Sequence, residues 1–172
     1  ELDLSSTTTN SIDILKTGAS LATTFIVDQA DLRAGGSVTG GIGSDTLTTA
    51  GTALDLRSTT LTSVEIIKNV AASPTVFTVD QNDLVSGGTI QGSTGGDTVA
   101  AGGTALDLSS VALTSIENLR AGTSLATTFT IDGGDQFTIT SITGGAGVDT
   151  LVSAALDPGL VDNTALDLSG AT

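Results

Sequence analysis

Several common residue types are absent from this sequence, and their absence removes classes of function. There is no Cys, His, Met, Trp or Tyr. Without Cys the chain can form neither a disulfide framework nor a thiolate metal site. The missing His, Trp and Tyr remove most of the side chains that catalyse reactions or recognise ligands. Because Met is also missing, we expect the chain to be a piece of a longer protein.

Positive charge and long apolar runs are also scarce. Five Lys and Arg stand against nineteen Asp and Glu, which gives a formal net charge of −14. Such a surface repels nucleic acid and anionic membranes, so we expect neither as a partner. The longest apolar stretches are only as long as a strand, so we expect no membrane insertion. A mean hydropathy of +0.31 argues against disorder, because disordered chains combine charge with low hydrophobicity.

The residues that are present form an internal repeat with a period of 52 residues. The segment Thr62-Ser-Val-Glu recurs 52 residues later as Thr114-Ser-Ile-Glu, and a related copy starts at Asn10. The same step relates one set of Phe residues and three sets of Asp residues: Phe25, Phe77 and Phe129; Asp28, Asp80 and Asp132; Asp31, Asp83 and Asp135; Asp45, Asp97 and Asp149. Gapless copying of this kind is typical of stacked repeat proteins.

The repeat predicts one domain over residues 1–172, with repeats of about 10–61, 62–113 and 114–172. The motif Ala53-Leu-Asp-Leu returns at Ala105 after 52 residues and at Ala165 after 60. The longer second step predicts a loop insertion near residues 154–163, where a Pro-Gly pair lies.

Within each repeat, apolar and polar residues alternate with a period of two, which predicts strands. The predicted strands are residues 63–67, 75–80, 89–91, 97–100, 105–108 and 126–132; only residues 29–33 and 81–85 suggest a helical turn. We predict an all-β parallel β-solenoid with two or three coils per repeat, because stacked coils bury a face that one coil leaves exposed. A Greek-key sandwich is the alternative, but sandwiches rarely repeat themselves so closely.

Stacking also sets expectations for the core. We expect Phe25, Phe77 and Phe129 to lie in register inside the solenoid. We expect a similar stack of Ile12, Val64 and Ile116.

The run Gly40-Gly-Ile-Gly-Ser-Asp-Thr-Leu-Thr fits the pattern Gly-Gly-x-Gly-x-Asp-x-aliphatic-x. Another match starts at Gly144, and a degraded copy starts at Gly92. On these residues the chain resembles the calcium-binding repeats of secreted bacterial RTX and haemolysin-type proteins, and the related solenoids of surface layers and adhesins. The resemblance is partial, because it covers only these three copies of the nonapeptide. It implies an extracellular or bacterial cell-surface location and bound Ca²⁺.

The resemblance also implies that glycine carbonyls and an Asp carboxylate surround the cation, and that the glycines make the tight turn. The candidate residues of the calcium sites are Gly41, Gly43, Asp45, Asp55, Gly95, Asp97, Asp107, Gly145, Gly147 and Asp149. Asp45 with Asp55, and Asp97 with Asp107, are candidates to face each other across adjacent coils. Stacked rows of like carboxylates repel one another unless cations or salt screen them, which favours Ca²⁺. The alternative is that these aspartates form Asx-turns and cap amides without a metal.

Further acidic pairs follow each predicted Phe strand: Asp28 and Asp31, Asp80 and Asp83, Asp132 and Asp135. A carboxylate pair of this spacing can serve as a metal or acid–base site. The favoured interpretation is a polar turn in which the first Asp caps a short helical turn. Lys16, Lys68 and Arg120 each follow an acidic residue by three positions. We expect them to form exposed ion pairs, each of about 0–1 kcal/mol.

These features favour a structural or adhesive segment of a large exported bacterial surface or filament protein. A solenoid supplies length and stiffness, and the Leu-Asp-Leu motif near both ends predicts continuation into a longer array or end-to-end self-association. A carbohydrate or other cell-surface ligand is a further candidate partner. We expect no enzyme, because the aspartates are copied regularly, whereas a catalytic site normally lies in one irregular place.

Two other functions are open to a solenoid of this composition. Ice binding uses regular rows of threonine on a flat face. The candidate rows are Thr23, Thr75 and Thr127, and Thr46, Thr98 and Thr150. A polysaccharide-processing β-helix is the second alternative. Its only irregular candidate region is the insertion, which contains Asp157 and Asp162.

Overall fold

The chain folds into short strands separated by Gly- and Asp-rich turns, because no β-branched run is longer than a few residues. The computed structural model describes residues 1–18 and 20–154. The strands are β1 (Leu2–Asp3), β2 (Ile14–Lys16), β3 (Thr24–Val27), β4 (Ser37–Thr39), β5 (Thr46–Thr49), β6 (Ala53–Asp55), β7 (Thr60–Thr62), β8 (Ile66–Asn69), β9 (Val76–Val79), β10 (Thr89–Gln91), β11 (Thr98–Ala101), β12 (Ala105–Asp107), β13 (Ala112–Thr114), β14 (Asn118–Ala121), β15 (Thr128–Ile131), β16 (Ser141–Thr143) and β17 (Thr150–Ser153). Three 3₁₀ turns are present in this part of the chain: η1 (Gln29–Asp31), η2 (Gln81–Asp83) and η3 (Asp135–Phe137).

The predicted fold class is confirmed, since the paired strands run parallel and stack as a β-solenoid of about seven coils. The helical turns predicted at residues 29–33 and 81–85 are η1 and η2. The strand predicted at residues 63–67 is wrong in its first half, because Ser63 adopts a left-handed backbone with φ of 51°. Beyond Ala154, the predicted insertion and the motif at Ala165 lie outside the described residues.

The solenoid has three faces. Face 1 contains β1, β3, β5, β8, β10 and β13 in that spatial order. Face 2 contains β6, β9, β11, β14 and β16, and η1 lies against β6. Face 3 contains β2, β4 and β7, then η2, then β12, β15 and β17, because η2 contacts both β7 and β12. The chain visits the faces in turn and advances by one coil each time it returns.

The sequence repeat and the coil have different lengths. Along face 1, Leu2 pairs with Phe25, Phe25 with Leu47, and Leu47 with Ile67, so one coil is less than half as long as a repeat. The repeats at residues 10–61 and 62–113 each contain seven elements, β2 to β7 with η1 and β8 to β13 with η2. Seven elements on three faces make two and one third coils. Each repeat therefore moves every equivalent residue to the next face.

The expected stacking of equivalent residues is wrong for this reason. Phe25 lies on face 1, Phe77 on face 2 and Phe129 on face 3, although each is buried. Leu2 and Leu47 are the actual neighbours of Phe25 in the ladder. The second expected stack, that of Ile12, Val64 and Ile116, fails likewise, because these residues precede strands on faces 3, 1 and 2 respectively.

The threonine rows expected from the repeat also do not form. Thr46, Thr98 and Thr150 begin strands on faces 1, 2 and 3 respectively. The other expected row is Thr23, Thr75 and Thr127, whose members directly precede strands on the same three faces. Equivalent threonines therefore point in three different directions around the solenoid.

The core is a ladder of inward aliphatic and Phe side chains on each face. Its fully buried large members include Phe25, Leu47, Leu54, Phe77, Ile90, Leu106, Leu119 and Phe129. Burial of each contributes about 1.5–3 kcal/mol. This core fixes the corners between faces, where the conspicuous polar residues lie.

Candidate functional site

The Asp of each Gly-Asp run lies at a corner of the solenoid and caps backbone amides. The Asp45 carboxylate accepts a hydrogen bond from the amide of Thr23, one coil earlier, at 2.7 Å, and another from Gly41 in its own turn at 2.9 Å. In the next repeat, the Asp97 carboxylate accepts from Thr75 at 2.7 Å and from Ser93 at 2.6 Å. These two aspartates are fully buried. Each carboxylate therefore ties one coil to the next.

The glutamate of the Thr-Ser-Val-Glu segment continues this connection. The amide of Asp45 donates to the Glu65 carboxylate, one coil later, at 2.8 Å, and the amide of Asp97 donates to Glu117 at the same distance. Three successive coils are thus joined by a series in which each amide donates to a carboxylate. Hydrogen bonds to a charged acceptor are the stronger kind, at about 1.5–3 kcal/mol each.

The predicted ion pairs are wrong, because Glu65 and Glu117 accept backbone amides and Asp13 pairs with Arg33. Among the described residues, the salt bridges are those of Arg33 with Asp13, at 2.7 Å, and of Arg57 with Asp55, at 2.5 Å. Both join exposed side chains. Neither involves Lys68, whose expected partner Glu65 accepts a buried backbone amide instead.

The first glycine of the run is required by close approach of the next coil. A Cβ at Gly40 would lie 1.8 Å from the carbonyl oxygen of Ser63, and a Cβ at Gly92 would lie 2.0 Å from that of Ser115. Ser63 and Ser115 have positive φ, of 51° and 52°. This left-handed turn directs their carbonyls toward the glycines, so the two sequence motifs form one interlocking corner.

The glycines named as candidate site residues have different roles. Gly43 has a positive φ of 115°, as the predicted tight turn requires. Gly95 and Gly147 lie where there is no room for a side chain. A Cβ at Gly95 would lie 2.7 Å from the backbone nitrogen of Pro74, and a Cβ at Gly147 would lie 2.4 Å from that of Ala126. Gly41 supplies an amide to Asp45.

The last candidate glycine, Gly145, is also needed for space, because its Cβ would lie 2.7 Å from the Thr123 carbonyl oxygen. In the same turn, Asp149 is half-buried and accepts from the amide of Thr127, one coil earlier, at 2.8 Å. The third repeat thus retains the hydrogen bond in which the carboxylate caps a backbone amide of the preceding coil.

The structure does not bring the candidate carboxylates together. Asp45 precedes β5 on face 1, whereas Asp55 ends β6 on face 2 of the same coil, so the two do not face each other across coils. Asp97 and Asp107 are separated in the same way. Asp55 binds Arg57 through its carboxylate, which lowers the pKa of Asp55.

The rows of like charge expected from the repeat are not found either, because Asp45, Asp97 and Asp149 lie at three different corners. Within residues 1–18 and 20–154, no three acidic side chains are grouped so that they could hold a metal ion. The residues therefore fit amide capping better than a shared calcium site. Calcium binding stays a prediction.

The first two acidic pairs after the Phe strands form capped turns, as the favoured interpretation predicted. The Asp28 carboxylate accepts from the amide of Ala30 at 2.8 Å, while Asp31 accepts from the amide of Asp28 at 3.0 Å. The second pair, Asp80 and Asp83, repeats this capping box around η2. In the third repeat the prediction is wrong, because the 3₁₀ turn begins at Asp135 with Gly134 as its N-cap and has no side-chain cap. The Asp132 carboxylate instead closes the turn before it by accepting from the amides of Gly134 and Asp135.

The second Asp of two of these turns titrates far from its ordinary range. The pKa of Asp83 is raised to about 7, mainly by burial, with contributions from the nearby charges of Asp80 and Asp55 that oppose the lowering effect of the hydrogen bond from the Asp80 amide. Burial likewise raises the pKa of Asp135 to about 7, with a contribution from Asp132. Each of these groups lines a surface cleft.

The cleft beside Asp83 has a volume of about 250 Å³, and the equivalent cleft beside Asp135 has about 450 Å³. In the larger cleft, Gly134 stands where the second repeat has Asn82, and the wall contains Ser109 and Ser110. This larger cleft has the size of a small-molecule site, and its wall combines apolar residues with hydroxyl and carboxyl groups.

Two glutamines, which sequence reasoning missed, complete the solenoid where a 3₁₀ turn replaces a strand. The side-chain oxygen of Gln29 accepts from the amide of Asp55 at 2.6 Å, and its nitrogen donates to the carbonyl of Asp55 at 3.1 Å. Gln81 holds Asp107 in the same way, at 2.7 and 3.3 Å. We call this contact the glutamine clamp. Its only signal in the sequence is that Gln29 recurs as Gln81 one repeat later.

Comparison with family models, with curated proteins and with solved structures found no match to this chain. The resemblance to RTX repeats therefore depends on the glycine and aspartate pattern alone. Among the described residues, no helix has the length and apolar character needed to cross a bilayer.

Proposed function

We propose that this chain is a structural or adhesive segment of a large exported bacterial surface or filament protein. One observation carries the proposal: successive repeats stack through the same contacts, so further repeats can be added by the same rule. The carboxylate caps at Asp45 and Asp97 and the glutamine clamps recur at successive corners. A solenoid built in this way supplies length and stiffness.

The acidic surface suits such a role outside the cell. The net charge of −14 keeps neighbouring molecules apart and in solution. The aspartates are consistent with a calcium-rich environment, and the proposal includes binding of Ca²⁺ by the intact array. Continuation of the solenoid into a longer array and binding of a carbohydrate or other cell-surface ligand also belong to the proposal.

Small-angle X-ray scattering on arrays of three, six and nine repeats tests the structural role. Two and one third coils at about 4.8 Å each add about 11 Å per repeat, so the maximum dimension should grow linearly to roughly 100 Å for nine repeats. A matched nine-repeat array in which the central repeat is replaced by a Gly/Ser linker of equal length should bend at that point. A maximum dimension that stops growing with added repeats would contradict the proposal.

A glycan microarray probed with the chain tests the adhesive role. We expect the chain to bind a small set of glycans through its clefts and exposed corners. Absence of any bound glycan would count against a carbohydrate partner.

A further inference from the structure

Three strands of the chain share a sequence and a local conformation. β1, β6 and β12 each contain Leu-Asp and are followed by another Leu. They pair with the next coil in the same register, since Leu2 faces Phe25, Leu54 faces Phe77 and Leu106 faces Phe129. The three strands are therefore equivalent on the side that carries the next coil.

The turn after each of these strands is also the same. The carboxylate of Asp3 accepts from the amide of Ser5 at 2.9 Å, as Asp55 accepts from Arg57 at 3.1 Å and Asp107 from Ser109 at 3.0 Å. One hydrogen bond then closes each turn, and in the first copy it runs from the Thr7 amide to the Leu4 carbonyl at 2.7 Å. The backbone around Asp3 is therefore already in the conformation that a glutamine clamp holds at Asp55 and Asp107.

On the side that faces the preceding coil, β1 differs from β6 and β12 in being exposed. Leu54 and Leu106 are 0% and 1% exposed, whereas the equivalent Leu2 is 37% exposed. Ile12 is 45% exposed, whereas its equivalent Val64 is 2% exposed. The preceding coil, which lies under β6 and β12, makes this difference. The underside of β1 is thus a coil-binding surface that no described residue covers.

We propose that the underside of β1 is a docking surface for another coil of this repeat that carries an Asp-Gln-x-Asp 3₁₀ turn, and that the Gln side chain of that turn clamps the backbone of Asp3. This inference rests on the proposed array function. The occupant is known from the chain itself, because η1 occupies the same position under β6 and η2 under β12.

The chemistry of the clamp selects the occupant. A Gln side chain offers one acceptor and one donor, and these match the amide and the carbonyl of a single residue. A carboxylate in its place would have no donor for the carbonyl. The third repeat has Gly133 where the other repeats have Gln29 and Gln81. A second copy that docked through its η3 region would present Gly133 at this position, so the fitting partner is a coil that carries the full Asp-Gln-x-Asp turn.

The test adds such a coil to the full chain. A second copy of residues 53–104 is fused ahead of Glu1, which places a copy of Gln81 where the clamp of Asp3 should form. The matched control carries Gln→Ala at that position of the added copy only. Amide hydrogen exchange at Asp3 is the readout, because the clamp binds this amide. A calibration in the unextended chain uses Gln29→Ala, which should accelerate exchange at Asp55 and leave Asp107 unchanged.

We expect the added repeat to slow exchange at Asp3 by at least about tenfold, and the Gln→Ala control to lose most of that protection. Two results would overturn the inference without contradicting the proposed array function. One is equal protection in both fusions, and the other is a folded extension that leaves the Asp3 amide unprotected. An extension that does not fold, seen as no gain in strand signal by circular dichroism, would overturn the array function and the inference with it.

The unextended chain is also studied at high concentration by analytical ultracentrifugation. A monomer is the expected result, because the third repeat of a second copy has Gly133 in place of the clamp glutamine. A dimer that protects Asp3 would show that a second copy is the occupant and would refute the choice of a Gln-bearing coil.

Discussion

Replacement of Asp97 by Ala tests the role of the corner carboxylates most directly. The fully buried carboxylate accepts hydrogen bonds from the backbone amides of Thr75 and Ser93, at 2.7 and 2.6 Å. The substitution removes the acceptor of the buried Thr75 amide and of the half-buried Ser93 amide, and each such loss costs about 1–3 kcal/mol. We therefore expect the free energy of unfolding to fall by roughly 2–5 kcal/mol. Asp107→Ala is the matched control, because the exposed Asp107 carboxylate caps only its own turn through Ser109, and its loss should cost less than about 1 kcal/mol.

The measurement is urea unfolding followed by circular dichroism, performed once in EGTA and once in millimolar Ca²⁺. Amide capping predicts the same cost for Asp97→Ala in both buffers, because the amides are present with or without the metal. A cation site predicts a cost that appears only in Ca²⁺. Two results would refute the reasoning: a loss no larger than that of Asp107→Ala, or a loss confined to the calcium buffer.

Three further predictions concern pH, close packing and calcium. Asp83 and Asp135 have folded-state pKa values of about 7, above the value of about 3.9 in an unfolded chain. Their contribution to stability is therefore fully present below about pH 4 and is lost as the pH rises to about 7, with a slope of at most about 1.4 kcal/mol per pH unit for each group. The double Asp→Asn variant should flatten this part of a plot of urea midpoint against pH, and an unchanged slope would contradict it. Gly92→Ala should destabilise the chain by about 1–3 kcal/mol or more through overpacking, measured by urea unfolding. Gly103→Ala should be nearly neutral, because a Cβ there meets no atom within 4 Å. For this chain outside an array, we expect thermal midpoints in EGTA, Ca²⁺ and Mg²⁺ to agree, whereas a rise specific to Ca²⁺ would establish the cation sites that the RTX resemblance implies.

The fold class could be predicted from the sequence because its signals are local. β-Branched alternation and gapless copying indicated parallel stacked strands, and Asp28 and Asp80 were identified as caps of short turns. The arrangement of the copies could not be predicted in the same way. Successive coils close after different numbers of residues, because their corners lengthen or shorten, and no residue marks the closing point. The prediction that Phe25 and Phe77 share a stack therefore failed.

The candidate site shows a different limit. Asp45 in a Gly-rich turn is equally suited to a cation and to an amide cap, so the sequence pattern alone left both interpretations open. The deciding partners lie one coil away: the Thr23 amide below and the Glu65 carboxylate above. Glu65 itself was assigned to Lys68, its neighbour in sequence, because a buried backbone donor in another coil has no signature in the sequence. Long-range backbone hydrogen bonds of this kind also explain why Gln29 was missed.

The mismatch between repeat and coil has a consequence for how such arrays can change length during evolution. Unequal recombination adds or removes whole repeats, and each repeat gained or lost rotates everything beyond it by one third of a turn about the solenoid axis. A binding site or anchor at the far end would then point in a new direction, although no residue of it had changed. Only gains or losses in multiples of three repeats preserve the original azimuth. The number of repeats in a lineage of such proteins therefore sets orientation as well as length.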